Sequence, residues 1–578
     1  MVNDIYDPLK AYKEIFRNRF KTVAEETFAQ LAAEAHVDTE ANQATCSQLY
    51  ESDDSLKDIE ERINQWCLLR QVLLICSVSA PILAFFFQDE YGGSIMLLSI
   101  LFSLILLTIM GCLVNPRLKE LRQNRDGLAS KVDELRKEAW KQMEPLNRLY
   151  DWDVFSRMVM RTVPRIEFDP YFTAQRLADL QHTYGWNDSF NTKRSVVYAH
   201  SGLINGNPFV ICRTRKITPS KKTYKGSKTI SWTTRERDAN GRMQTVRHSE
   251  VLHASIKAFY PLFQEESRLI YGNTAAPDLT FHRNPSGLAA KIGSLAYLKE
   301  RRELRKKARD LKDNDFAMLT NEEFEVVFNT SNRNNNHQYA LLFTPLAQNA
   351  MMDLLKDKNF AYGDDFSFTK DKMINTIIPE HLQELKLDMN PANYHRLDFR
   401  EAQEDFYSVN AEQFRAIYFT LAPLLCVPMY QQIRPVEALY GREMQHQSAF
   451  WEHEALANFW GYDHFKHPDC ATSCILKTNA VKEADGTTTI TVTAHGYRIK
   501  KRVSYVDCWG GDGKYHSVPV HWNEYIPISG EGYIEMIEDN QPVDATASHS
   551  ERLEHIQRVL HDNELNLYRR HIASSVLK

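Results

Sequence analysis

Residues 66–87 and 94–114 form two apolar runs, separated by a short polar link that contains Asp89 and Glu90. Each is about 20 residues, enough to cross a hydrocarbon core as a helix rising about 1.5 Å per residue. The second run has no charged side chain, whereas a helix against a soluble core keeps a polar stripe. The pattern predicts a two-helix transmembrane hairpin. Arg70, one turn inside the first run, can extend its charged end to the interface, and Pro81 is tolerable where neighbours satisfy the freed carbonyl.

Both flanks read as helical. Leu56, Ile59 and Ile63 recur at helical spacing after a cap at Ser52 or Asp53. Beyond the hairpin, Leu118, Leu121, Leu128, Val132, Leu135 and Trp140 do the same between charged residues. Together they predict a stalk, paired within the chain or as a homo-oligomeric coiled coil.

The period then shortens. Four strand-like stretches fill residues 195–258, with Asn240-Gly241 as a hairpin signal between the last two, and predict an antiparallel meander. A basic helix follows near residues 297–312. The mixed segment after it predicts strands at FEVVFNT and HQYALLF, a helix at PLAQNAMMDLLKDK and a hairpin at FSFTKDKMINTII. An apolar helix at 411–432 precedes a second β region at 475–530 and a closing amphipathic helix from Ser550. The apolar segment 416–430 is too short for a third span and contains Pro423 and Pro428, so it predicts a buried helix. The expected class is α+β: a helical N-terminal stalk and transmembrane hairpin, then a multi-part cytoplasmic body with antiparallel β meanders. The expected divisions fall at residues 1–65, 66–114, 115–150, 151–290, 291–400, 401–470 and 471–578.

Charge sets the expected orientation. Lys57, Arg62 and Arg70 precede the spans, and Arg117, Lys119, Arg122 and Arg125 follow them, while the link has no Lys or Arg. The positive-inside rule places both termini in the cytoplasm. Nine scattered cysteines suit a reducing compartment.

The chain also resembles an uncharacterised family of bacterial membrane proteins grouped under a domain of unknown function. The resemblance rests on the hairpin, on the stretch from Ser201-Gly202 to Phe209, and on residues 324–378. It implies an integral protein of a bacterial inner membrane with a mixed β/α cytoplasmic module. It implies no activity.

Three groups of residues could carry chemistry. His464, His467, Cys470 and Cys474 are a ligand set for a closed tetrahedral zinc site, or a loop holding two surface histidines and two partly buried thiols. A basic stretch contains Arg213, Arg215, Lys216, Lys221, Lys222, Lys225, Lys228 and Arg235, continuing to Arg247, with Tyr224 and Trp232 interleaved. Eleven cations there face only Glu236 and Asp238, in a chain of net charge −5. Such a stretch suits anionic headgroups, a protein partner or, less economically for a tethered protein, nucleic acid. The third group, Asp364-Asp365 in a Tyr-Gly-Asp-Asp-Phe turn, resembles a magnesium-binding turn and equally an ordinary one. The expected function is a membrane-anchored binding or scaffold protein without a catalytic site. The competing expectations are a zinc-containing enzyme using His453, Glu454 or His521, and a tethered nucleic-acid binder.

Overall fold

The computed structural model describes residues 5–86, 93–187, 192–237, 242–310, 316–435, 447–483, 486–540 and 547–577. It divides into two compact units. One comprises Glu25–Asp151 with Asn390–Ser408, the other Met1–Ala24, Trp152–Met389 and Val409–Lys578.

The first unit is helical. Helix α1 (Thr39–Phe86) lies along α2 (Gly93–Ile109) and α3 (Asn115–Leu149), the latter two joined by a π-helical turn at Met110–Val114. The stalk is thus paired within the chain, and α3 turns Leu118, Leu121, Val132, Met143 and Leu146 inward. At its base Asn42, fully buried, donates to the Leu397 carbonyl and accepts from the Phe399 amide, each at 2.9 Å. Farther along, Leu68, Val72, Ile75, Leu97, Leu101 and Leu104 are exposed. Two helices, Thr39–Phe85 and Met96–Leu149, are long and apolar enough to cross a membrane. The link bearing Asp89 and Glu90 lies outside the described residues.

The second unit holds two antiparallel sheets. The larger has the order β1-β2-β3-β4-β7-β6-β5, from β1 (Ile166–Phe168), β2 (Arg194–Ile204), β3 (Asn207–Arg237), β4 (Met243–Gly272), β5 (Thr280–Arg283), β6 (Phe366–Asp371) and β7 (Ile374–Pro379). The smaller has the order β11-β12-β10-β9-β8, from β8 (Ile475–Lys482), β9 (Thr488–Trp509), β10 (Tyr515–Glu538), β11 (Leu567–Arg569) and β12 (Ile572–Leu577). Helix α4 (Phe450–Trp460) packs against both β2 and β8. Its Trp451 enters one core with Phe172 and Trp186, and its Leu456 enters another with Leu476, Ile490 and Ile534.

Several expectations change. The four short strands of residues 195–258 are β2 and one hairpin of two 30-residue-class strands, β3 and β4, in unbroken register from Phe209↔Tyr271 to Arg237↔Met243. Pro219 and Gly226, in the gap between two of the expected strands, are inside β3. Pro219 faces Pro261 where the pairing to β2 has already ended, so the missing amides cost no outer ladder. The Asn240-Gly241 turn lies outside the described residues, as does Lys312. FEVVFNT and HQYALLF are helical, at Glu322–Phe328 and Asn336–Leu342, because Asn321 and Asn335 cap them by accepting from the amides of Phe324 and Gln338. The segment 416–430 is a buried helical stretch, as its length implied; Leu421, Ala422, Leu424 and Leu425 are at most 1% exposed.

Candidate functional site

Beyond Lys216, where β2 stops pairing, the β3–β4 hairpin continues for roughly 70 Å at about 3.3 Å per residue. It does not stand alone. The β9–β10 hairpin stacks on it: Ile230, Leu252 and Ala254 meet Val518 and Val520 in a small core flanked by Tyr224, Trp232 and Ile256. Polar contacts fix the stacking. The Gly511 amide donates to Glu250 Oε2 at 2.7 Å, and Lys228 Nζ donates to the Ser517 carbonyl at 3.3 Å. The result is a two-layer β arm with two outward faces of different chemistry.

Alternation decides which cations reach the outside. In the register of β3 with β4, odd-numbered residues share the outward face. That face carries Lys221, Lys225, Arg235 and Arg237 from β3, with Arg247 and Lys257 from β4, all exposed. Thr223, Ser227, Thr229, Ser231, Thr233 and Ser249 lie between them, and beyond the Arg215↔Glu265 pair the described part of the face has no Asp or Glu. None of the six cations forms an ion pair with another described residue. The aromatic Trp232, by contrast, faces inward and stacks on His248 at 5.4 Å.

The other sequence-predicted polyanion residues have different employment. Arg213 is held at the root of the arm: its Nη2 donates to the carbonyls of Leu382, Gln383 and Leu385, and its Nε donates to Ser267 Oγ at 2.7 Å. Burial lowers its pKa from the usual guanidinium value. Arg215 pairs with Glu265 at 2.7 Å and Lys216 with Glu266 at 3.6 Å. Lys222 sits over the Tyr224 and Tyr260 rings, and Lys228 is committed to Ser517. Of the eight, Lys221, Lys225 and Arg235 occupy the free face. Arg237, Arg247 and Lys257 complete it, and period-2 parity in a single hairpin is the signal that finds them.

The zinc quartet does not assemble. Cys470 and Cys474 approach with sulfurs 3.6 Å apart, but His467 Nδ1 accepts from the Asp469 amide and His464 stands edge-on to Trp460. Among the described residues, no group of three or more His, Cys, Asp or Glu side chains is placed to hold a metal ion. Burial and the neighbouring Cys470 push the Cys474 thiol up to about 12.

The acidic turn is also taken up. Asp364 receives Arg283 and the amides of Ser286 and Gly287, whereas Asp365 turns to His381. The two carboxylates therefore serve different partners.

The enzyme candidates diverge as well. His453 pairs with Ser448 Oγ at 2.9 Å, and that hydroxyl donates to Glu538; serine sits between histidine and carboxylate, the wrong order for a relay that would activate it. Glu454 accepts from the Val196 amide and pairs with Lys477, while His521 is exposed on the arm.

One buried polar centre has no sequence motif. Glu452 on α4 receives Arg569 Nη1 at 3.0 Å, Arg570 Nη2 at 2.7 Å and the Phe172 amide at 3.2 Å. Beside Arg570, a small cavity is lined by Tyr198, His200, Asp388 and Gln413. Burial, reinforced by Arg570, pushes His200 down to about 3, and burial pushes Tyr198 up to about 12. At neutral pH both side chains are therefore uncharged.

No protein-family model, curated protein or solved structure matches the chain.

Proposed function

We propose that this is a membrane-anchored binding or scaffold protein whose β arm engages anionic lipid headgroups through the cationic face of its β3–β4 hairpin. The observation that carries the reading is the segregation of six exposed cations, without a described carboxylate beyond the Arg215↔Glu265 pair, on one face of a two-layer element. Each cation near an anionic surface contributes about 1 kcal/mol, so a cluster of this size binds where a single residue would not. The hydroxyls between the cations add donors for phosphate oxygens without adding charge. The two helices of membrane-spanning length and composition support this reading, since an anchored chain would meet the headgroups at high effective concentration. We place the body on the cytoplasmic side of a bacterial inner membrane, on the lysine and arginine bias around the spans.

Co-flotation tests this reading. The full chain, held in nanodiscs of zwitterionic lipid, should float with vesicles rich in phosphatidylglycerol and not with phosphatidylcholine vesicles. Binding should weaken steeply with salt. If added nucleic acid strips the protein from the vesicles at stoichiometric amounts, the arm is a nucleic-acid binder. Absence of binding to both removes the cationic face from the account.

A further inference from the structure

The opposite face of the arm, on the β9–β10 hairpin, has a contrasting composition. In its register Trp509 pairs with Tyr515, Tyr505 with Pro519, and Val503 with His521. Tyr505 and Tyr515 are each 71% exposed and Trp509 is 61% exposed, while the reverse side of the hairpin is buried on Val518 and Val520. Side chains this large and this open on one face of a paired hairpin mark an interaction surface. The only charged side chains along the β9 edge of the stripe are Lys501 and Asp507, of opposite sign, three residues either side of Ser504.

That spacing selects an occupant. We infer that the stripe is a self-complementary contact between two copies of this chain, related by a two-fold axis crossing β9 at Ser504. Such an axis stacks the two stripes face to face with strands reversed. It sets Lys501 of each copy against Asp507 of the other, and Val503 against Tyr505. An isologous contact requires such reciprocity: residue i meets j and j meets i. Trp and Tyr supply the area, and the crossed charges supply the register. The cationic face cannot serve in this way, because six like charges would meet six others. The inference stands independently of what the cationic face binds.

Charge reversal tests it on the full chain in detergent micelles, with mass read by light scattering over a concentration series. The wild type should be a concentration-dependent dimer. Lys501→Glu and Asp507→Lys should each weaken dimerisation at least about tenfold, and the double variant K501E/D507K should restore it. The exposed pair Y505A/W509A, which removes no buried contact, should give monomer. A wild-type chain that stays monomeric overturns the inference, as does a dimer that neither variant set disturbs. A dimer lost in both single reversals and not regained in the double overturns the assigned register.

Discussion

Gly226 of β3 lies directly beneath Pro519 of β10: a Cβ on the glycine would stand 3.0 Å from the proline carbonyl carbon and closer still to its oxygen. This contact lets the two hairpins stack as one element, because backbone approaches backbone where any side chain would intervene. Gly226→Ala should therefore pry the layers apart locally, costing about 1–3 kcal/mol as overpacking does. Hydrogen–deuterium exchange should show faster exchange of distal β3 and β10 amides, with the helical unit unchanged.

The carboxylate of Glu452 is expected to be the costliest single side chain to remove. It is 1% exposed and answers Arg569 and Arg570, themselves almost fully buried. Glu452→Ala would leave two buried guanidinium groups without their shared counter-charge, a loss of about 3–5 kcal/mol. Chemical denaturation of the variant should show this as a lower midpoint with an unchanged slope.

His200 makes stability depend on pH in a defined direction. Its folded pKa, about 3, lies below that of an unfolded histidine. Between those values the unfolded chain binds the extra proton, so stability is full above the unfolded pKa and falls with pH below it. Its contribution should drop by about 2 kcal/mol between pH 7 and pH 5. His200→Asn should flatten the difference between unfolding free energies at those two pH values. An equal slope in the variant would show that other groups govern the acid limb.

Arg213 separates a structural cation from a surface one. Its guanidinium bonds to three carbonyls and a hydroxyl at the root of the arm. Arg213→Ala should lower stability by about 2 kcal/mol through those stranded acceptors. The vesicle affinity of the remaining folded protein should not change.

These cases show what could be read in advance. The apolar runs, the basic helix at Leu295–Arg309 and the buried helix ending at Leu425 follow from length and period alone. The arm did not, because Pro219 and Gly226 punctuate a sequence locally as turns. Their roles as a paired proline and a close approach exist only once β4 and β10 are in place. FEVVFNT reads as a strand through its β-branched pair, and the Asn321 cap outweighs it. In the basic stretch the number of cations was legible, but not their division. Whether a lysine lies on the outer face, as Lys225 does, or over a tyrosine, as Lys222 does, depends on a register that composition does not carry. The Glu452 centre gathers residues more than 100 positions apart, and nothing local announces it.

The most direct test of the account compares the two sides of one hairpin. Lys221→Gln with Lys225→Gln removes two cations from the outward face; Lys222→Gln with Lys228→Gln removes two from the inward side, with the same change in net charge. Anchored in zwitterionic nanodiscs, the outward pair should lose roughly tenfold or more of its affinity for phosphatidylglycerol vesicles, and the inward pair should bind nearly as the wild type does. Equal losses in the two variants would mean that net charge alone, and not a built cationic face, is responsible. No loss in either would contradict the assignment of the arm to anionic lipid.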